Sequence, residues 1–233
     1  MTFVQQKSSA LSKKDKSSIG SWDKKILTLC EKINSLENFY TTSSCSGRIA
    51  LVKNNSEQRP GALLKTYHKK ISLEELKTDL EELITLNNNE ARLLVKSGGG
   101  NGGGKRAGLL TKSKIEVGNN NLAEENKEIK FKQEPCILHI ACKTLEDANQ
   151  LLAKAKSSGF KRSGISSITK DKIILELIST EKIELPIISK GKILVDDNFL
   201  EVLVKEANKN LEKTWGKIKA FEDLIHKLYQ VLL

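Results

Sequence analysis

The chain has 233 residues, 38% apolar and 29% charged, with 39 Lys and Arg against 29 Asp and Glu for a net charge of +10. A chain of this length can bury a core without staples, which suits a single domain. Collagen-like, mucin-like and wholly disordered classes are excluded, and no apolar run approaches the ~20 residues of a membrane-spanning helix.

The opening stretch MTFVQQKSSALSKKDKSSIGSW lacks the apolar centre of a secretory signal, and residues 1–18 read as a basic N-terminal arm. Residues 23–36 place Ile26, Leu27, Cys30, Ile33 and Leu36 on one helical face. The polar stretch NFYTTSSCSGR reads as a loop, and IALVK at 49–53 as a strand. Ser72 and Glu75 fit a capping box at the head of a helix over 72–84, with Leu73, Leu76, Leu80, Leu83 and Ile84 as its buried stripe. Composition then shifts over 87–128. Six of the seven residues 98–104 are glycine, so 96–126 reads as a flexible insertion within the domain.

Residues 129–142 alternate up to Pro135 and then run apolar, as an edge strand leading into a buried one. Thr144 and Asp147 cap a helix with the stripe Leu145, Ala148, Leu151, Leu152 and Ala155, and Gly159 ends it. GFKRSGISSITKDKIILELIS reads as two strands about the turn 169–171. From Asp197 a long C-terminal helix is expected. Leu200, Val204, Ala207, Leu211, Trp215, Ile218, Phe221, Ile225 and Tyr229 advance about 3.6 positions per step, the period of a straight helix on a globular core. The fold class is α+β. A helix, a small polar loop with Ser-Gly and β-structure occur twice, around TTSSCSGR and GFKRSGIS. Two related halves would set those loops face to face across a pseudo-twofold cleft, although chance suffices for so short a pattern.

Few motifs carry chemistry. Gly98–Gly103 formally matches a dinucleotide fingerprint, but no amphipathic helix follows it, and Arg106 stands where a P-loop needs Ser or Thr. Tyr40–Arg48 is richer: eight of its nine side chains bear a hydroxyl, a thiol or a guanidinium. Such a run is either a ligand loop for an oxygen-rich group or a plain Ser/Thr-rich turn. His68 stands among lysines, which should lower its pKa and leave a neutral imidazole able to accept a proton; an ordinary surface histidine is the alternative. His139 on an apolar strand and His226 on the last helix read as structural. Cys30, Cys45, Cys136 and Cys142 form no CxxC pair and have no histidine at zinc-finger spacing. Reduced thiols, a cytoplasmic setting and no metal are expected. Lys65, Lys69, Lys70, Lys105, Arg106, Lys161 and Arg162 would form a basic rim for RNA or an ordinary solvated surface.

The strings SKKDKSSIGSWDKKI, LENFYTTSSCSGRIALV, GALLKTYHKKISLEELKTDL, EPCILHIACKTLEDANQLL and GFKRSGISSI occur here in that order. In them the chain resembles the wybutosine-synthesising protein 3 family of tRNA methyltransferases. The resemblance implies one non-Rossmann α+β domain over 1–233 and S-adenosylmethionine as methyl donor. It also implies transfer to a ring nitrogen, N4, of the tricyclic base precursor at position 37 of phenylalanine tRNA, beside the anticodon. The competing reading is a non-catalytic tRNA-binding module that assists a modification complex. In the family the histidine commonly follows a tryptophan and stands in Ser-His-Asp, whereas Tyr67 and Lys69 flank His68 here.

On this reading a cleft joins loop 42–48 to loop 161–165. Ser44, Ser46 and Gly47 would hold the methionyl end of the cofactor, with Ser163 and Gly164 opposite. Arg48 would pair with the cofactor carboxylate or with an RNA phosphate. His68 would accept the proton, Cys45 would only pack, and the basic rim would bind the anticodon loop. Oligomeric state does not follow from the sequence.

Overall fold

The computed structural model describes residues 1–12, 23–53, 62–97 and 128–231. Helices α1 (Phe3–Leu11) and α2 (Leu27–Ser35) precede strands β1 (Phe39–Cys45), β2 (Arg48–Lys53) and β3 (Ala62–Tyr67). Helix α3 (Leu73–Ser97) follows, then β4 (Ile129–Glu134), β5 (Ile137–Cys142) and α4 (Leu145–Ser157). Strands β6 (Gly164–Ile168), β7 (Ile173–Ile178), β8 (Ile183–Ser189) and β9 (Lys192–Ile193) lead to α5 (Asp197–Val231).

The strands form two sheets, in the orders β1-β5-β7-β6 and β3-β2-β4-β8-β9, and every pairing is antiparallel. Three lengths of chain pass from one sheet to the other: β1 into β2 through Ser46-Gly47, β4 into β5 through Pro135-Cys136, and β7 into β8 through residues 179–182. The first sheet buries Leu138, Ile140, Leu175 and Leu177 against α2, α4 and the Ile218–Ile225 part of α5. The second buries Ile49, Leu51, Ile129 and Phe131 against α3 and the Leu200–Leu211 part of α5. Trp215 packs against both cores, so the long helix ties the two sheets into one α+β domain. Each fully buried Leu or Ile in these layers contributes about 1.5–3 kcal/mol.

Several expectations are corrected by tertiary packing. Residues 3–11 of the expected basic arm form α1, closed by a Thr2–Gln5 capping box and docked through Phe3 on Tyr40 with ring centroids 5.2 Å apart. Residues 13–18 lie outside the described residues. The expected loop at 38–48 is mostly strand β1, paired along β5. The expected edge strand β4 is internal, paired on both sides, and Pro135 falls between strands where no ladder N–H is required. Helix α3 continues to Ser97, past the expected end at 84 and into the segment read as an insertion. Of that insertion, 98–126 lies outside the described residues, and Lys105 and Arg106 with it. Among the described residues no helix is long and apolar enough to cross a membrane.

Candidate active site

Three chain segments meet where β1 crosses into β2. Gly47 makes the crossing with φ +91, and a Cβ there would come within 3.1 Å of the Glu134 carbonyl oxygen. Only glycine suits both the conformation and the approach. The preceding Ser46 N–H donates to Asp23 Oδ2 at 3.0 Å. Asp23 is itself fixed at the head of α2. Its carbonyl accepts from the N–H groups of Ile26 and Leu27, and its Oδ1 accepts from Lys25 N–H at 3.1 Å. The third segment is the end of β3, where His68 Nδ1 lies 3.3 Å from Asp23 Oδ2.

The polar atoms here are buried and incompletely satisfied. The Asp23 side chain is 7% exposed and that of His68 21%. A carboxylate only accepts, so Nδ1 carries the ring proton and, in the neutral ring, Nε2 is the bare acceptor. His68 Nε2 and Ser46 Oγ are buried without a hydrogen-bond partner among the described residues. Buried polar groups rarely stay unpaired, so two around one carboxylate mark a place shaped for a ligand. Behind it, Trp215 Nε1 is a third such atom, with Lys25 Nζ 4.6 Å from the centroid of its ring.

Cys45 completes the cluster. Its sulfur and single ligand atoms of Asp23 and His68 all lie within 4.8 Å of one another. That set could hold a metal ion, which the sequence spacing did not suggest. Burial pushes the Cys45 thiol up, with the Gly47 backbone and the Arg48 charge acting the other way. The neutral thiol is thereby favoured over the thiolate that a nucleophile or a metal ligand requires. All four cysteines are free, and burial also raises Cys30 and Cys142 to about 12.

The other expected site residues are dispersed. Ser44 is on the opposite face of β1, beside the Cys30 thiol; Ser43 and Cys45 share the outer face instead. Arg48 Nε donates to Glu134 Oε2 at 2.6 Å. Ser163 Oγ accepts from Ile178 N–H at 2.9 Å. The two Ser-Gly segments do not face one another across a cleft. They belong to opposite edge strands of the first sheet, with Ser43 and Gly164 in one row.

The lysines expected to surround His68 turn elsewhere. Lys69 pairs with Glu75 at 3.0 Å and Lys70 with Glu212 at 2.7 Å, so the charge nearest the ring is the Asp23 carboxylate. Lys65 is raised to about 12 by Glu82 and Asp79. Lys161 and Arg162 are exposed and have no ion-pair partner among the described residues. Sequence reasoning missed Asp23 because it stands at the start of the expected helix 23–36, far along the chain from both the hydroxyl-rich motif and His68. The acidic neighbour lacking beside His68 in the chain is supplied by Asp23 in space.

Over residues 5–227 the chain matches the family described as Methyltransferase TYW3. It is 31% identical over 227 residues to a Thermococcus sibiricus protein named tRNA(Phe) 7-((3-amino-3-carboxypropyl)-4-demethylwyosine(37)-N(4))-methyltransferase, covering 97% of this chain and 94% of that one. The tRNA wybutosine-synthesizing protein 3 homolog of Danio rerio is 31% identical over 98% of this chain and 76% of its own. The solved structure of PH1069 protein from Pyrococcus horikoshii superposes with TM-score 0.70 at 29% identity, covering 96% of both chains.

Proposed function

The chain belongs to the TYW3 methyltransferase family, and from that premise we propose that it methylates N4 of the 4-demethylwyosine-type base at position 37 of phenylalanine tRNA. The single observation that carries the reading is His68: Nδ1 faces Asp23, while Nε2 is buried and bare.

S-adenosylmethionine is the methyl donor we assign, and it supplies an electrophilic methyl on a sulfonium, a leaving group that calls for no covalent protein intermediate. The cofactor suits the unpartnered polar atoms at the sheet crossing. Ser46 Oγ and the backbone about Gly47 would hold it. Arg48, already tied to Glu134 through Nε, would offer its terminal nitrogens to a carboxylate or an RNA phosphate. Methylation of an N–H nitrogen releases one proton. His68 Nε2 is the group positioned to take it, with the Asp23 carboxylate stabilising the imidazolium that results. Alignment of the acceptor nitrogen with the methyl carbon supplies much of the remaining rate, up to about 7–11 kcal/mol of barrier. Lys161 and Arg162, and Lys105 and Arg106 of the glycine-rich insertion, are proposed to meet the RNA backbone.

The test is calorimetry with S-adenosylmethionine alone, followed by single-turnover methylation of precursor tRNA. Cofactor binding without RNA and methyl incorporation at N4 are expected. Binding of tRNA with no affinity for the cofactor would replace the enzyme by a non-catalytic RNA-binding module.

A further inference from the structure

The outer face of the first sheet, away from α2, α4 and α5, carries a polar row that the proposed transfer chemistry does not use. Register aligns Ser43, His139, Glu176 and Gly164 across β1, β5, β7 and β6. Ser43 Oγ lies 2.8 Å from His139 Nδ1, and His139 Nε2 lies 3.0 Å from Glu176 Oε1. His139 is therefore not the core residue its apolar strand suggested. Its neighbours Leu138 and Ile140 face the core and it faces out.

The chemistry of the row has one sign. The Glu176 carboxylate can only accept, so the proton of the neutral His139 ring is on Nε2 and Nδ1 accepts from the Ser43 hydroxyl. The lone pairs of Ser43 Oγ and the rest of the Glu176 carboxylate are left for a partner. The Glu176 side chain is 40% exposed, and a Cβ at Gly164, next along the row, would meet nothing within 4 Å. Helix α1 covers only the far end of this face, through Phe3, Tyr40, Ala141 and Ile174. At the near end Ser43 is two residues from Cys45 on the same face, about 7 Å along the strand. Cys45 is part of the cluster with Asp23 and His68. A row of acceptors thus runs outward from the reaction centre, with Ser43 at its near end and the one negative charge, Glu176, two strands or about 10 Å further across the sheet.

We propose that Glu176, its carboxylate oriented through His139 by Ser43, receives the α-ammonium of a 3-amino-3-carboxypropyl group, with His139 as the positioning residue. The inference rests on the methyltransferase reading above. That group has two sources in the reaction: the methionyl tail of S-adenosylmethionine, and the side chain written into the name of the Thermococcus relative's substrate. Both present the same ammonium on a three-carbon chain.

The experiment compares wild type, Glu176→Gln and His139→Ala, with His139→Asn as the conservative replacement able to bridge Ser43 and Glu176. Calorimetry uses S-adenosylhomocysteine and 5′-methylthioadenosine, which lacks the amino-acid tail. Filter binding uses tRNA with and without the 3-amino-3-carboxypropyl side chain. If the cofactor is the source, wild type prefers S-adenosylhomocysteine, and Glu176→Gln and His139→Ala lose that preference by at least about tenfold, the scale of a charge-assisted hydrogen bond. Methylthioadenosine affinity stays unchanged and His139→Asn recovers part of the loss. If the substrate is the source, the same pattern separates the two tRNAs and leaves the nucleosides alone. Equal losses for ligands with and without the tail, or no loss for any, overturn the proposal and leave the row a structural one. Wild-type protein that binds neither nucleoside and transfers no methyl overturns the methyltransferase reading, and this inference with it.

Discussion

Asp23 Oδ2 and His68 Nδ1 stand 3.3 Å apart although 45 positions separate them in the chain. The contact exists because α2 starts, β1 crosses and β3 ends at one point. The amide of Ser46 holds the same oxygen from the third side. A carboxylate so fixed sets which ring nitrogen of His68 keeps its proton. Asp23→Asn loses the charge and one of the two oxygens, so it keeps an acceptor for Lys25 N–H or for Ser46 N–H but not for both. Single-turnover methylation is expected to fall about 10²–10⁴-fold in this variant and in His68→Ala, with cofactor affinity nearly unchanged. Full rates in both would remove general-base chemistry and leave alignment alone.

Gly47 permits the crossing that creates this site. With φ +91, and with a Cβ that would sit 3.1 Å from Glu134 O and 3.5 Å from both Cys136 N and Thr214 Cγ2, alanine is strained on two counts. Gly47→Ala is expected to lower stability by about 1–3 kcal/mol. Urea denaturation measures it, and an unmoved midpoint would show that the crossing yields freely.

Local sequence signals were legible where local chemistry decides the structure. The capping box at Thr144 and Asp147 is formed in both directions, and Ser72 Oγ accepts from Glu75 N–H at 3.0 Å while the Glu75 carboxylate pairs with Lys69 instead. The stripe from Leu200 to Ile225 is buried as its period requires, with Trp215 partly so. Strand β1 was not legible, because Thr41 to Ser44 carry no apolar alternation. Their places are fixed by partners far along the chain, His139 among them, and near it by Asn34, which meets Thr41. Strand β8 contains Pro186, an ordinary sign against a strand, which it tolerates beside a register shift in its pairing with β4. At the site, the hydroxyl-rich motif and His68 stood out in the sequence. Asp23, which joins them, lies far from both in the chain and belongs to no motif of its own.

The expected basic rim divides by its partners. Lys65 is held by Asp79 at 2.9 Å and Glu82 at 2.8 Å, and Lys70 by Glu212, so phosphate must compete with carboxylates there. Lys161 and Arg162 carry no such partner among the described residues. In filter binding of tRNA across a salt series, Lys161→Ala and Arg162→Ala should each flatten the slope of log K against log[salt] by roughly 0.7–0.9. Lys65→Ala and Lys70→Ala should change it less. Equal effects from all four would mean that the ion pairs open on contact with RNA.

Acid sensitivity has a specific contributor on the outer face of the second sheet. Glu184 is lowered from 4.5 to about 2 by hydrogen bonds from Lys182 and Lys132. A carboxylate depressed in the folded state stabilises fully above its unfolded pKa, near 4.5, and the contribution is lost as pH falls through about 2. Glu184→Gln should therefore melt lower than wild type at pH 7, and the two curves of melting temperature should converge between about pH 4.5 and 2. Parallel curves over that window would exclude Glu184 as a source of the acid limb.

Cys45 tests how the methyl group moves. It lies in the hydroxyl-rich motif and within reach of Asp23 and His68, the position a covalent nucleophile would take. Its thiol, however, is raised by burial, and Arg48, the cation that would favour a thiolate, already pairs with Glu134. Transfer from a sulfonium to nitrogen breaks one C–S bond and forms one C–N bond, with the released proton going to His68, so no step requires a thioether on the protein. Cys45→Ala should keep single-turnover methylation within about threefold of wild type, while Cys45→Asp, which sets a second carboxylate beside Asp23, should lower it much further. Iodoacetamide should label Cys45 more slowly than a free thiol at the same pH, since alkylation follows the thiolate fraction. Loss of about 100-fold or more in Cys45→Ala, together with a methylated cysteine found by mass spectrometry after reaction without tRNA, would establish a covalent relay and displace His68 from the transfer step.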